Sequence, residues 1–204
     1  MDIETPAALG YTSLVMTGQK ASDAPDRFAR FMECLGSMLG MEPDVHEVPP
    51  REPQDGRVLA LTYVDTPEPG LVSGFAYGLS LWQGSPAREL CVMMRSSDPE
   101  WAKVPAVTVA ALRGMCPFDP GMVIGYMKPY VTGSRLSSLF LATPPTELGL
   151  AERIDLSTDP EDSVEIVGAY PIHASERRFV HARGAEALWD SRWDPFDPAR
   201  PPAL

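Results

Sequence analysis

From Gly74 to Leu81 small and large residues alternate. Phe75, Tyr77, Leu79 and Leu81 recur at period two, with Gly74, Ala76, Gly78 and Ser80 between them. This period puts the large side chains on one face of a strand. Gln83 to Ala87 supply the Gly, Ser and Pro of a turn. Leu90, Val92 and Met94 then alternate again, but Cys91 and Met93 make this run apolar on both faces. The pattern predicts a β-hairpin over Leu71–Met94 at the centre of a sheet, with Phe75, Tyr77 and Leu79 on one buried face and the second strand covered on both sides.

The flanking segments change period. Phe28, Phe31, Met32, Leu35, Met38 and Leu39 form one stripe at helical spacing. They predict a helix over Asp26–Gly40, with Asp23 as cap and Pro25 in the first turn. Further strands are predicted over Glu42–Val48, Arg57–Val64, Gly121–Met127, Leu136–Leu141 and Val164–Ile172. A second helix is predicted over Glu100–Met115, capped by Ser97 or Asp98, with Pro105 near its first turn. A third follows a Ser175 cap, carries Phe179, Leu188 and Trp189, and breaks at Gly184. Lys128–Arg135 and Thr143–Asp162 read as loops. Helices and strands alternate without the regular βαβα spacing of a doubly wound sheet. The class is α+β, a mixed, largely antiparallel sheet with helices packed against it.

Composition refines this picture. In 204 residues, 44% apolar, there is material for one core, with an N-terminal extension over 1–24 and an irregular proline-rich tail over 194–204. The 22 prolines, about twice the usual share, cluster at segment ends and read as punctuation. A net charge of −11 disfavours nucleic acid and anionic membrane as direct ligands and favours a basic protein partner. Acidity that serves only solubility is the competing reading. Cys34, Cys91 and Cys116, three in apolar surroundings, form no disulfide framework. With neither a signal peptide nor a membrane span in view, the expected compartment is the cytoplasm.

Candidate chemistry is sparse. His46, His173 and His181 have no metal-ligand spacing, and exposed or capping roles account for all three. Neither Gly-x-Ser-x-Gly nor a phosphate-binding glycine loop occurs. Glu100, Glu147, Glu152, Glu165, Glu176 and Glu186 read as a solvated surface. No catalytic residue, no metal and no cofactor is expected. Trp82 and Trp101 read as core. Trp189 and Trp193, with the acidic loop at Asp159, Glu161 and Asp162, are the candidate partner contacts.

The order of these segments resembles the Suppressor of Fused family. The strand Glu165-Ile-Val-Gly-Ala-Tyr-Pro-Ile-His173, then Glu176 and Gly184-Ala-Glu-Ala-Leu188, is similar to that family's closing segment. Gly78-Leu79-Ser80 before Glu89-Leu90, Trp101 in the next helix, and the strands at Gly121–Ile124 and Ser137–Leu141 fit the same order. The resemblance runs over roughly residues 25–192. Arg51–Gln54 and Lys128–Arg135 do not align. It implies an α+β domain over 25–193 that binds protein and has no catalytic residues. For a compact bacterial member it implies a cytoplasmic immunity protein that neutralises a toxin by direct binding. An enzyme whose carboxylates or Cys116 assemble only in the fold is the alternative.

Overall fold

The computed structural model describes residues 24–82, 87–125, 128–159 and 161–204. Asp23 falls outside these residues. Among them lie four α-helices, α1 (Ala24–Leu39), α2 (Glu100–Leu112), α3 (Ala174–Arg183) and α4 (Ala185–Trp189). The strands are β1 (Asp44–Val48), β2 (Val58–Val64), β3 (Leu71–Tyr77), β4 (Arg88–Arg95), β5 (Val123–Ile124), β6 (Ser138–Ala142), β7 (Arg153–Asp155) and β8 (Ser163–Ile172). They form one sheet of order β1-β2-β3-β4-β8-β6-β5, with β7 paired to β8 beside β6. Only the β4–β8 pair is parallel, with Leu90 opposite Val167. The class is α+β with a largely antiparallel sheet.

The central hairpin sits where the alternation placed it. In β3, Phe75 and Tyr77 point into a cluster with Phe31 and Leu35 of α1. The Phe28 and Phe31 rings lie 4.9 and 5.2 Å from that of Tyr77. Val72 and Ala76 face the opposite side, under α2, with Trp101, Val104 and Val109. The small residues have a physical purpose there. A Cβ on Gly74 would lie 1.9 Å from the Ala102 carbonyl oxygen, so the helix backbone rests directly on the strand. The large face therefore receives α1 and the small face receives α2. Strand β4 is buried on both sides, with Leu90, Val92 and Met94 toward α2 and Cys91 and Met93 toward α1.

Leu79 departs from the predicted face. Strand β3 ends at Tyr77, and Gly78 takes φ 141°. That left-handed value resets the chain direction, so Leu79 joins the α2-side cluster instead of Phe75 and Tyr77. Leu81 is 43% exposed. Of the predicted strand over Gly121–Met127, whose last two residues fall outside the described ones, Val123–Ile124 is strand, and β7 lies within the predicted loop Thr143–Asp162. Helix α3 begins after His173, two residues earlier than a Ser175 cap would set it. Pro105 lies buried in the second turn of α2, and Trp82 is half-buried against the Arg113 guanidinium at 5.4 Å.

On β6 and β8, Leu139, Leu141, Val167 and Ala169 face α2. Phe140, Tyr170 and Ile172 alternate with them and pack under Val180 of α3 and Leu188 of α4. By this alternation α1 and the α3–α4 pair cover different halves of the same sheet face. Phe196, from a segment with no helix or strand, packs on both clusters.

Candidate partner-binding site

The five candidate contact residues fall in two places on that face. The first is a groove of about 930 Å³ between α1 and the β7 edge, with Asp162 on its wall. Helix α1 contributes Arg27, Arg30, Cys34 and Met38, which share one side because they recur at three- and four-residue spacing. The groove settles its own charge. Arg27 pairs with Asp162 at 2.5 Å, Arg30 with Glu33 at 3.7 Å and Arg153 with Asp155 at 3.1 Å. The acidic loop is likewise internally employed. Asp159 accepts the Glu161 amide at 2.9 Å and donates its own amide to Ser157 Oγ at 3.1 Å. Its carbonyl accepts the Asp162 amide at 3.0 Å. Glu161 stands exposed.

The second place is α4. Trp189 is 46% exposed, yet its ring is fixed from below. Its centroid lies 5.1 Å from that of Tyr170, 5.7 Å from Phe140 and 5.6 Å from Trp193. Trp193 is half-buried, with the Arg200 guanidinium 4.6 Å above its ring. Beside Trp189 opens a pocket of about 420 Å³ between α4 and the β5–β6 edge. Gly121, Phe140 and Trp189 line it together with the exposed carboxylates Glu186 and Asp190.

Two carboxylates that the sequence left unremarked as a site are wholly buried. Glu89 Oε1 accepts the Gly78 amide at 2.7 Å, the Ser80 amide at 3.0 Å and Ser80 Oγ at 2.8 Å. Its Oε2 accepts the Leu79 amide at 3.3 Å. Burial pushes the carboxyl up, and these donors offset only part of the rise, leaving it at about 7. Arg113 organises the same corner, donating to the carbonyls of Gly78 at 2.8 Å and Gly56 at 2.8 Å.

Glu176, predicted at the surface, is instead 0% exposed. It accepts two bonds from Arg200, Nη1 at 2.5 Å and Nη2 at 2.8 Å, and the amides of His173 and Ala203, each at 2.8 Å. Burial pushes this carboxyl up, but Arg200 and the two amides outweigh it and hold it below the usual value. The other five predicted surface glutamates are exposed. Neither buried carboxylate meets solvent, so neither is placed to touch a substrate.

The remaining candidates for chemistry are quiet. Burial pushes the thiols of Cys34, Cys91 and Cys116 up, away from the thiolate a nucleophile needs. Among the described residues no group of three His, Cys, Asp or Glu could hold a metal ion. His173 Nε2 lies 3.0 Å from the Arg200 carbonyl, while His46 and His181 are exposed. Among the described residues no helix is long and apolar enough to cross a membrane.

Several solved structures share this fold. A SUFU homologue of Neisseria gonorrhoeae superposes with TM-score 0.61 at 15% identity, over 88% of this chain and 96% of that one. The crystal structure of the Sufu–Fu complex gives 0.59 at 15% identity, over 86% and 91%. Drosophila Suppressor of Fused gives 0.61 at 13% identity, over 87% of this chain but only 51% of that longer one. No curated protein matches the sequence. The family model for Suppressor of fused protein (SUFU) matches residues 89–201, from the buried Glu89 past Arg200 and over more than half of the chain. This chain therefore belongs to the Suppressor of fused protein family.

Proposed function

We propose that this protein is a non-catalytic, cytoplasmic binding domain and acts as an immunity protein that neutralises a toxin by direct contact. Family membership supports protein binding, and a structural neighbour is described in complex with a protein partner. The observation that carries the reading here is Trp189. A large aromatic ring held 46% exposed on rigid packing has the form of an interface anchor. With a net charge of −11, the complementary surface is basic, as a nuclease toxin must be to hold phosphates. Trp189 and Trp193 form one contact region, and the loop at Asp159, Glu161 and Asp162 forms the other.

The enzyme alternative needs an exposed, activated group. The buried carboxylates and the raised thiols give it little support. The test is a pull-down between the tagged protein and the product of the neighbouring gene, followed by a protection assay against that product's toxicity. A stable complex that abolishes toxicity is the expected result. A metabolic operon at that locus, with neither complex nor protection, would sink the immunity reading.

A further inference from the structure

The pocket beside Trp189 differs from the α1 groove in its charge balance. In the groove every acidic side chain named above as an ion-pair member has an arginine of this chain beside it. Among the described residues the pocket lining carries acidic charge alone, Glu186 and Asp190, with no lysine or arginine. These two residues are four apart at the helix end, where the Asp190 amide donates to the Glu186 carbonyl at 2.8 Å. Like charges at this spacing repel and weaken a helix. The helix concerned is only five residues long, so it has little of its own stability to offset that repulsion. The pocket wall is the half-exposed Trp189 indole, with Phe140 beside it.

We infer that this pocket receives a single lysine or arginine side chain from a basic protein partner. Its aliphatic stem would lie along Trp189 and Phe140. Its charged head would meet the aromatic face and relieve the Glu186–Asp190 repulsion. The inference rests on the protein-binding reading above, but it concerns the chemistry of one pocket and is separately testable.

The probes are acetyl-arginine amide, acetyl-lysine amide and, as the uncharged control, acetyl-norleucine amide. Each is titrated into the full chain and followed by NMR at the Trp189 indole N–H and the Gly121 amide. The two cationic probes should bind with Kd on the order of 10 mM, and norleucine at least about tenfold more weakly. The paired variant E186Q/D190N should lose that selectivity while staying folded, with a melting temperature no lower than the parent's, because both side chains are exposed and their mutual repulsion is removed. W189A should weaken both cationic probes. Equal binding of norleucine, unchanged selectivity in the paired variant, or shifts confined to other sites would overturn the inference. If the cations bind here but the neighbouring gene product forms no complex, the pocket stands and the immunity reading falls. If the protein complex forms and E186Q/D190N leaves its Kd unchanged, the pocket inference falls and the binding reading stands.

Discussion

Glu89 and Glu176 are the same residue type, both 0% exposed, and they behave in opposite ways. Glu89 is surrounded by dipoles: three backbone amides and one hydroxyl of the segment Gly78–Ser80. Glu176 has a full counter-charge in a two-bonded arrangement with Arg200. Burial raises both carboxyls, and the rise is reversed at Glu176, where the guanidinium acts together with two amides. Dipoles alone leave Glu89 titrating near neutrality. The first clamp fastens the chain just after β3 to the strand it pairs with. The second fastens the segment around Arg200 to the start of α3, across 24 residues of sequence.

Breaking the charged clamp should give the largest effect. Arg200→Ala leaves Glu176 as a buried, unpaired carboxylate. Loss of one partner of such a pair typically costs about 3–5 kcal/mol. Urea unfolding at pH 7 should show a loss of that order, and limited proteolysis should cut first near Arg200. A loss below about 1 kcal/mol would mean that solvent reaches Glu176 and that the pair is not a clamp.

The dipolar clamp should show itself through pH. The folded carboxyl of Glu89 titrates at about 7, above its ordinary value of 4.5. A raised folded value means that the native state holds the proton more tightly than the unfolded chain. The stability this contributes is complete below about pH 4.5 and is lost as pH rises through about 7. Its full size is on the order of 3 kcal/mol at 1.36 kcal/mol per unit. Glu176 runs the other way, its contribution being complete above about pH 4.5 and lost as pH falls from there through its depressed value. Measured from pH 8 to pH 5, the stability of the parent relative to Glu89→Gln should therefore rise as pH falls. A flat difference would show that Glu89 stays ionised throughout the window.

These two clamps also mark the boundary of what was legible. Period two and period 3.6 are local signals, and they located α1, β2, β3, β4 and β8 within a few residues. Gly74 and Ala76 showed that one face of β3 is small, although not that α2 would rest on it. Leu79 was misplaced because a periodicity count cannot see the φ of 141° at Gly78 that ends the strand. Strand β7, only three residues long, exists through its pairing with β8 and has no pattern of its own. Glu89 stands beside Arg88 at the start of an apolar strand run, where a surface position is the ordinary reading, and its donors are backbone amides that no sequence displays. Glu176 and Arg200 lie far apart in sequence, and Arg200 sits among prolines that read as an irregular tail. Residue type alone marks Trp189 as a candidate contact, but the pocket beside it depends on residues from three separate segments.

The distinction between paired and unpaired acids makes one smaller, kinetic prediction. The loop residues Asp159, Glu161 and Asp162 are not equivalent, because Asp162 already faces Arg27 at 2.5 Å. Reversing Asp162 removes a surface ion pair, worth about 0–1 kcal/mol of stability, and exposes a repulsion with Arg27. Reversing Glu186 and Asp190 removes field that no cation among the described residues of the pocket lining offsets. Long-range attraction acts chiefly on association rate and is screened beyond a Debye length of about 8 Å at physiological ionic strength. In stopped-flow mixing with the neighbouring gene product, the rate should fall steeply as salt rises. The Glu186 and Asp190 reversals should lower it by roughly a factor of several and flatten the salt dependence. The Asp162 reversal should change the rate less than either. A rate insensitive to salt would leave solubility as the only role for the net charge of −11 and would remove the argument for a basic partner.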